Sequence, residues 1–288
     1  MTNPALRSES QPPAHERALR VTAVIPTLNE EAAIGGVIAA LPRHLVGDVV
    51  VVDGGSTDHT VERATDAGAR VVAEPLLGYG RACLAGAAAS LDCDILLFVD
   101  GDGSDAAEQA ARLVLPIAED EADLVLGSRT RGRLEPGALS VHQRLVNRLV
   151  ASILNYRHGL SLTDIGPYRA IRRDVFDAVC LREQTYGLPT EMIRNVARDG
   201  YRIREAPVDY RHRAGGASKV SGNPRGSLLA GKPYPGSTTD QDKDRVDATM
   251  SNDEVVFALR RLEGQVSDLI RTVDVLINSG AASRREVN

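Results

Sequence analysis

An α/β fold is what this sequence predicts: a Rossmann-like, mostly parallel sheet with helices on both faces, followed by a C-terminal helical tail. Three observations carry that prediction. The runs VTAVIPT, DVVVVD and DILLFVD are continuously apolar rather than alternating, which marks strands buried on both faces. Segments of helical character separate them at the spacing of an open α/β sheet. Each run then closes on proline, glycine, threonine or aspartate, and such sheets bind ligands at the carboxyl ends of their strands.

Taken in order, residues 1–19 (MTNPALRSESQPPAHERAL) are polar, carry a proline pair and lack periodicity, so a disordered leader is expected there. Residues 20–230 then form one α/β domain. Its first strand begins at Arg20, and a helix is expected from Glu30 to about Leu41. A second strand covers DVVVVDGG, with a helix over Thr57–Ala67. The short strand ARVVAE, an alanine-rich helix over Gly80–Ser90 and the strand DILLFVDGDG follow. LVLGSR (124–129) reads as a further strand, and 201–213 as a late strand with its extension. Between them, apolar residues at 141, 145, 146, 149, 150, 153 and 154 predict an amphipathic helix with Arg144, Asn147 and Arg148 on its polar side.

Composition narrows the function. The 288 residues are 43% hydrophobic and 25% charged, ordinary for a soluble globular chain. A net charge of −5 argues against non-specific nucleic-acid binding, which needs a basic face. Cys83, Cys93 and Cys180 are too few and too scattered for a disulfide framework or a zinc site. No stretch approaches the roughly 20 apolar residues that cross a bilayer, and no signal-peptide core opens the chain. The expectation is a cytoplasmic protein that at most touches the membrane from that side.

The strongest chemical signal is Asp100-Gly101-Asp102. Two carboxylates one residue apart at a strand end can converge on one hard divalent cation. The competing reading is an acidic turn that caps the next helix, for which Ser104 and Asp105 would serve equally well. In VDGGSTD, Asp53 could accept from a nucleobase N–H, while Asp58 suits the start of a helix. IPTLNE places small polar groups after the first strand and is, by itself, only a turn motif. From Arg129 to Arg225 there are 18 Lys or Arg against 9 Asp or Glu, an excess that could focus anionic substrates.

In this arrangement the chain resembles the family 2 glycosyltransferases of the glycosyltransferase A fold, and within them the dolichyl- or polyprenyl-phosphate sugar synthases. VIPTLNEE, VVDGGSTDHT, FVDGDGSD, LGSR, TDIGPYRAIRR, YGLPTEM and REAPVDYRHRAGGASK carry the resemblance, from about Val21 to Gly226. It implies an inverting transfer of a hexose from a UDP- or GDP-linked donor to a polyprenyl or dolichyl phosphate. Pro26, Asn29, Glu30 and Asp53 would line the nucleotide pocket, and Asp100 and Asp102 would hold Mg²⁺ or Mn²⁺ on the donor diphosphate. Arg129, Arg144, Arg213 and Lys219 would clamp donor and acceptor phosphates. A phosphate acceptor is already nucleophilic at neutral pH, whereas an alcohol acceptor would need a base, for which Asp164 and Glu191 are candidates.

The chain departs from the family pattern twice. Gly103-Ser104-Asp105 stands where the family often carries a glutamine ligand, making Asp105 a substitute candidate. After the GASK segment, a polar linker (231–251) replaces the family's membrane-associated helices. Competing readings are a transferase to a soluble acceptor and a non-catalytic nucleotide-sugar-binding scaffold. A nucleotidyltransferase fits poorly, since the acidic PTLNEE stands where its basic glycine-rich loop belongs.

Residues 252–279 repeat apolar positions in four-three alternation from Val255 to Leu276, a coiled-coil stripe, and 280–288 form a polar end. The stripe is too narrow for a core of its own, so pairing of two copies into a homodimer is expected. In sedimentation, the full chain should run as a dimer and a chain ending near Ala230 as a monomer; two monomers at micromolar concentration would remove the coiled-coil reading.

Overall fold

Residues 19–215 are those described by the computed structural model. The leader up to residue 18, Lys219, the linker, the 252–279 helix and the terminal tail lie outside the described residues.

Seven strands form one sheet: β1 (Val21–Thr27), β2 (Asp48–Asp53), β3 (Arg70–Ala73), β4 (Ile95–Phe98), β5 (Leu124–Ser128), β6 (Arg169–Arg172) and β7 (Ile203–Pro207). Their spatial order is β3-β2-β1-β4-β6-β5-β7. Only β6 runs against its neighbours, pairing antiparallel with β4 and β5. The helices are α1 (Ile34–Ala40), α2 (Thr60–Asp66), α3 (Tyr79–Ala88), α4 (Ala111–Ala118), α5 (Val141–His158), α6 (Arg173–Ala178) and α7 (Leu188–Arg198).

The continuously apolar strands behave as expected for a sheet covered twice. Ala23 and Ile25 of β1 and Val49 and Val51 of β2 pack with Ile34 and Ile38 of α1 and Leu113 of α4. The alternate residues Val24, Val50 and Val52 face the other way, against Ala82 and Cys83 of α3, in a core shared with Leu154 of α5 and Met192 of α7. Each such buried Val, Leu or Ile contributes about 1.5–3 kcal/mol. Gly86 lets α3 lie close to this face, because a Cβ there would collide with Val24 and stand 2.9 Å from Val52 Cγ2.

Differences from the sequence pattern concentrate where strands end. α1 starts at Ile34 rather than Glu30, because the Glu30 carbonyl first closes a turn through the Ala33 and Ile34 amides. α2 starts at Thr60 rather than Thr57, because residues 53–58 are held in a loop built around Asp53 and Asp58. Four elements go beyond the pattern. α4 contains Pro116, β6 is only RAIR, α6 has six residues, and α7 opens with Leu-Pro. All are short or carry breakers that mask their periodicity.

The 141–158 helix is longer than its apolar spacing suggests. Ser140 and Gln143 form a capping box at one end, and Gly159 at φ 65° closes the other. Its orientation corrects the predicted polar side. Asn147 turns inward, while Val141 and Leu145 are 70% and 48% exposed, sharing the outer surface with Arg144 and Arg148.

Candidate active site

The carboxyl ends of β1, β2, β4 and β5 meet along one edge of the sheet, and the chemistry-bearing residues lie there. Asp53, the last residue of β2, accepts the amides of Gly55 at 3.0 Å and Ser56 at 3.1 Å. Beside it, Asn29 adopts the left-handed conformation at φ 51°, which asparagine tolerates better than most residues. The Asn29 amide donates to Ser56 Oγ and its Oδ1 accepts from the Thr57 amide, both at 2.8 Å. The turn after β1 and the glycine loop after β2 are thereby locked together. Glu30 is buried, and its amide donates to Thr60 Oγ1 at 2.8 Å. Pro26 sits opposite Val52 in the parallel register. Asp58 does what its helix-start position suggests, accepting the Thr60 amide at 3.0 Å.

The acidic group after β4 is buried rather than exposed. Asp102 is 8% accessible, and its Oδ1 accepts from the Ser104 amide at 2.8 Å and from Ser104 Oγ at 2.6 Å. Asp105 Oδ2 accepts the Asp100 amide at 3.2 Å. Ser104 and Asp105 therefore fold the acidic loop on itself and cap no helix. Asp100 Oδ1 and Asp105 Oδ1 are buried without a hydrogen-bond partner. Burial, then the neighbouring Asp105 and Asp102 charges, push the Asp100 carboxyl well above the usual carboxylate range, and Arg129 and Arg213 pull it back. Asp105 is pushed up to about 7, by burial first and then by Asp102. Orphaned carboxylate oxygens and crowded negative charge are what a cation site looks like before its cation binds.

Two arginines frame this group. Arg129 follows β5 and is 5% exposed. It holds Asp164 in a fork, Nε to Oδ2 at 2.7 Å and Nη2 to Oδ1 at 2.9 Å. Its guanidinium lies over the Tyr210 ring, 5.1 Å from the centroid. Burial alone would raise the Asp164 pKa, but the hydrogen bonds and charge of Arg129 hold it below the usual range. Arg213 reaches across the crevice, with Nη2 2.7 Å from Glu30 Oε1 and Nε 3.3 Å from Asp102 Oδ2.

The profile of the family described as "Glycosyl transferase family 2" matches residues 22–180, the segment that builds this edge. The chain belongs to glycosyl transferase family 2. An uncharacterized glycosyltransferase of Mycobacterium tuberculosis is 38% identical over 214 residues, which cover 73% of this chain and 94% of the relative. An undecaprenyl-phosphate mannosyltransferase of Micrococcus luteus is 35% identical over 224 residues, 71% of this chain and 88% of that one. Among solved structures, glucosyl-3-phosphoglycerate synthase from M. tuberculosis in complex with phosphoglyceric acid superposes with a TM-score of 0.58 at 27% identity, covering 71% of this chain and 75% of that chain. The same synthase has been solved with Mn²⁺, UDP and phosphoglyceric acid, with a TM-score of 0.57. The sheet and helices of this glycosyltransferase are accordingly those of the glycosyltransferase A fold.

The structure of the glycosyltransferase groups Pro26, Asn29, Glu30 and Asp53 along β1 and β2, with Asp100, Asp102, Arg129 and Arg213 beside them. Arg144 stands apart, exposed on α5, which is linked to the group through Asn147 Nδ2, 3.4 Å from Asp164 Oδ1. Asp105 does not complete a third ligand: among the described residues no three His, Cys, Asp or Glu side chains converge as a metal-binding group. Neither candidate base is idle. Asp164 is committed to Arg129, and Glu191 accepts the amides of Arg182 at 3.0 Å and Glu183 at 2.8 Å.

The basic excess of the second half largely pairs with acids of the first. Arg202 reaches Asp120 and Asp123, Arg204 reaches Glu121, Arg211 reaches Glu108, and Arg213 reaches Glu30 and Asp102. The asymmetry in sequence is thus in part a stitching of two halves. Three site residues had no signal in the sequence. Tyr210 supports Arg129, Asn147 touches Asp164, and Glu205 accepts the amides of Thr163 at 2.7 Å and Asp164 at 3.0 Å. None belongs to a local motif that names such a role.

Proposed function

We propose that this glycosyltransferase moves a hexose, with inversion, from a nucleotide-sugar to a polyprenyl phosphate at a membrane surface, with Mg²⁺ or Mn²⁺ on the donor. The observation that carries the lipid acceptor is α5. It turns Val141 and Leu145 outward beside Arg144 and Arg148, and through Asn147 it abuts the Asp164–Arg129 pair. An exposed apolar row flanked by guanidinium groups suits an interface where acyl chains and phosphates meet. Among the described residues no helix is long and apolar enough to cross a membrane, so the contact would be peripheral. The undecaprenyl-phosphate specificity named for the Micrococcus relative supports the same acceptor class.

Asp100 and Asp102 fit a hard cation, since two carboxylates plus substrate phosphates and waters are how Mg²⁺ is usually held. Neutralising the departing diphosphate is the chemistry that cation supplies when bound. The chain's own residues do the rest. Asp53 and the locked Asn29–Ser56–Thr57 turn shape the nucleotide end. Arg213, poised between Glu30 and Asp102, would turn to the diphosphate. Arg129 is fixed by Asp164 with its Nη1 outside that fork, adding positive charge where negative charge develops. A phosphate monoester needs no base, which agrees with Asp164 and Glu191 both being occupied.

A soluble phosphorylated acceptor is the second reading, favoured by the superposition on glucosyl-3-phosphoglycerate synthase. Assays with radiolabelled UDP-glucose and GDP-mannose against undecaprenyl phosphate or 3-phosphoglycerate separate the two. Product on the soluble acceptor alone sinks the lipid reading, and no product with any pair leaves a binding scaffold. The sequence assigned Arg144 and Arg213 jointly to the acceptor; their placement separates them. Arg144→Ala should raise the acceptor KM by roughly 10–100-fold, the worth of one charged hydrogen bond, with donor KM unchanged. Arg213→Ala should raise donor KM first. Equal loss of donor binding in Arg144→Ala would move that residue to the nucleotide end.

A further inference from the structure

Beside the acidic loop stands an aromatic wall that the phosphate-binding residues do not explain. Tyr186 lies in the segment leading into α7 and is 49% exposed. Its ring stacks on Tyr79 at the start of α3, with centroids 6.1 Å apart and planes 20° from parallel. The side chain is also within electrostatic reach of Asp100 and Arg213: burial and then the Asp100 charge raise its hydroxyl pKa, and Arg213 opposes them.

The backbone behind Tyr186 is fixed independently of its ring. The Gly80 and Arg81 amides donate to the carbonyls of Thr185 and Gln184, each at 3.0 Å. Glycine at 80 permits this approach, because a Cβ there would stand 2.9 Å from the Thr185 carbonyl oxygen and 2.8 Å from the Gln184 carbonyl carbon. Glu191 secures the far side by accepting the amides of Arg182 and Glu183, and Glu183 accepts the Thr185 amide at 2.9 Å. A rigid segment thus presents one aromatic face backed by a second ring, with its outer face open.

We propose that Tyr186 is a specificity-determining residue whose open ring face stacks against the sugar carried on the donor diphosphate. The inference rests on the proposed function, which places that diphosphate at Asp100 and Asp102. Position favours the donor sugar over the acceptor. Tyr186 rises over α3, which packs on β1 and β2, the nucleotide end, whereas α5 builds the acceptor side. A pyranose has an apolar face of C–H bonds, and a preorganised tyrosine meets it at little cost in conformational entropy.

The test is equilibrium binding to the full chain, with Mn²⁺ present, of UDP and GDP and of UDP-glucose and GDP-mannose. Tyr186→Ala should weaken the nucleotide-sugar bound by the wild type about tenfold, while the matching nucleoside diphosphate binds unchanged, and Tyr186→Phe should stay within about twofold. Equal affinities in wild type and Tyr186→Ala overturn the inference. So does a parallel loss of diphosphate and nucleotide-sugar, which would make Tyr186 a support of the loop. A loss in Tyr186→Phe as large as in Tyr186→Ala would overturn the stacking role in favour of the hydroxyl. If the wild type binds none of the four, the donor reading itself fails and this inference falls with it.

Discussion

Asp102→Asn is expected to lower sugar transfer roughly a thousandfold, about 4 kcal/mol of transition-state stabilisation, with the fold retained. The sequence suggests an exposed strand-end carboxylate whose removal costs little. The structure corrects this, since Asp102 is buried and accepts two bonds from Ser104 while facing Arg213. Truncation to alanine would therefore mix lost chemistry with lost folding. Asparagine keeps the shape and an acceptor oxygen for Ser104, but removes the charge that a cation requires. The readouts are kcat across a Mn²⁺ titration and the melting temperature of the same sample. Activity that persists in EDTA, in wild type or variant, defeats the metal assignment.

Asp164→Ala should have the largest effect on stability. The pair is almost fully enclosed, with Arg129 at 5% and Asp164 at 1% exposure. Removing one partner of a buried pair leaves an uncompensated charge, a loss of about 3–5 kcal/mol. In a chain of this size that corresponds to a melting temperature lower by on the order of 10 °C. Activity should fall as well, because Arg129 would no longer be held over Tyr210 with its charge directed to the acidic loop. The double variant Arg129→Met/Asp164→Leu separates the two effects. It should recover much of the stability, since apolar groups can replace a buried pair, yet stay inactive. Recovery of both would show that the pair serves only the fold. A melting temperature unchanged in Asp164→Ala would show that water reaches Arg129, contrary to its burial.

What the sequence by itself determined was whatever repeats or concentrates within a few residues. Continuous apolar runs announced β1, β2, β4 and β5, because a strand buried on both faces has no polar side to interrupt it. The carboxylates at the ends of β2 and β4 were equally legible, since strand-end position alone sends Asp53, Asp100 and Asp102 to one edge. Tertiary structure alone decided the partners. Arg129 meets Asp164 across 35 residues of sequence, and Arg213 meets Glu30 across 183. No spacing rule spans such separations. It also decided which face of α5 is buried: apolar periodicity pointed Asn147 to solvent, yet a buried carboxylate at Asp164 gave its amide a partner and left Val141 and Leu145 outside. The reversed strand β6 was hidden for the same reason. Two arginines in four residues look like surface, until Arg169 is seen donating to the carbonyls of Pro167 and Pro189, each at 3.1 Å, from a fully buried position. Local pattern records how a segment meets water on average, whereas the pairing of buried polar groups is settled only when distant segments leave water together.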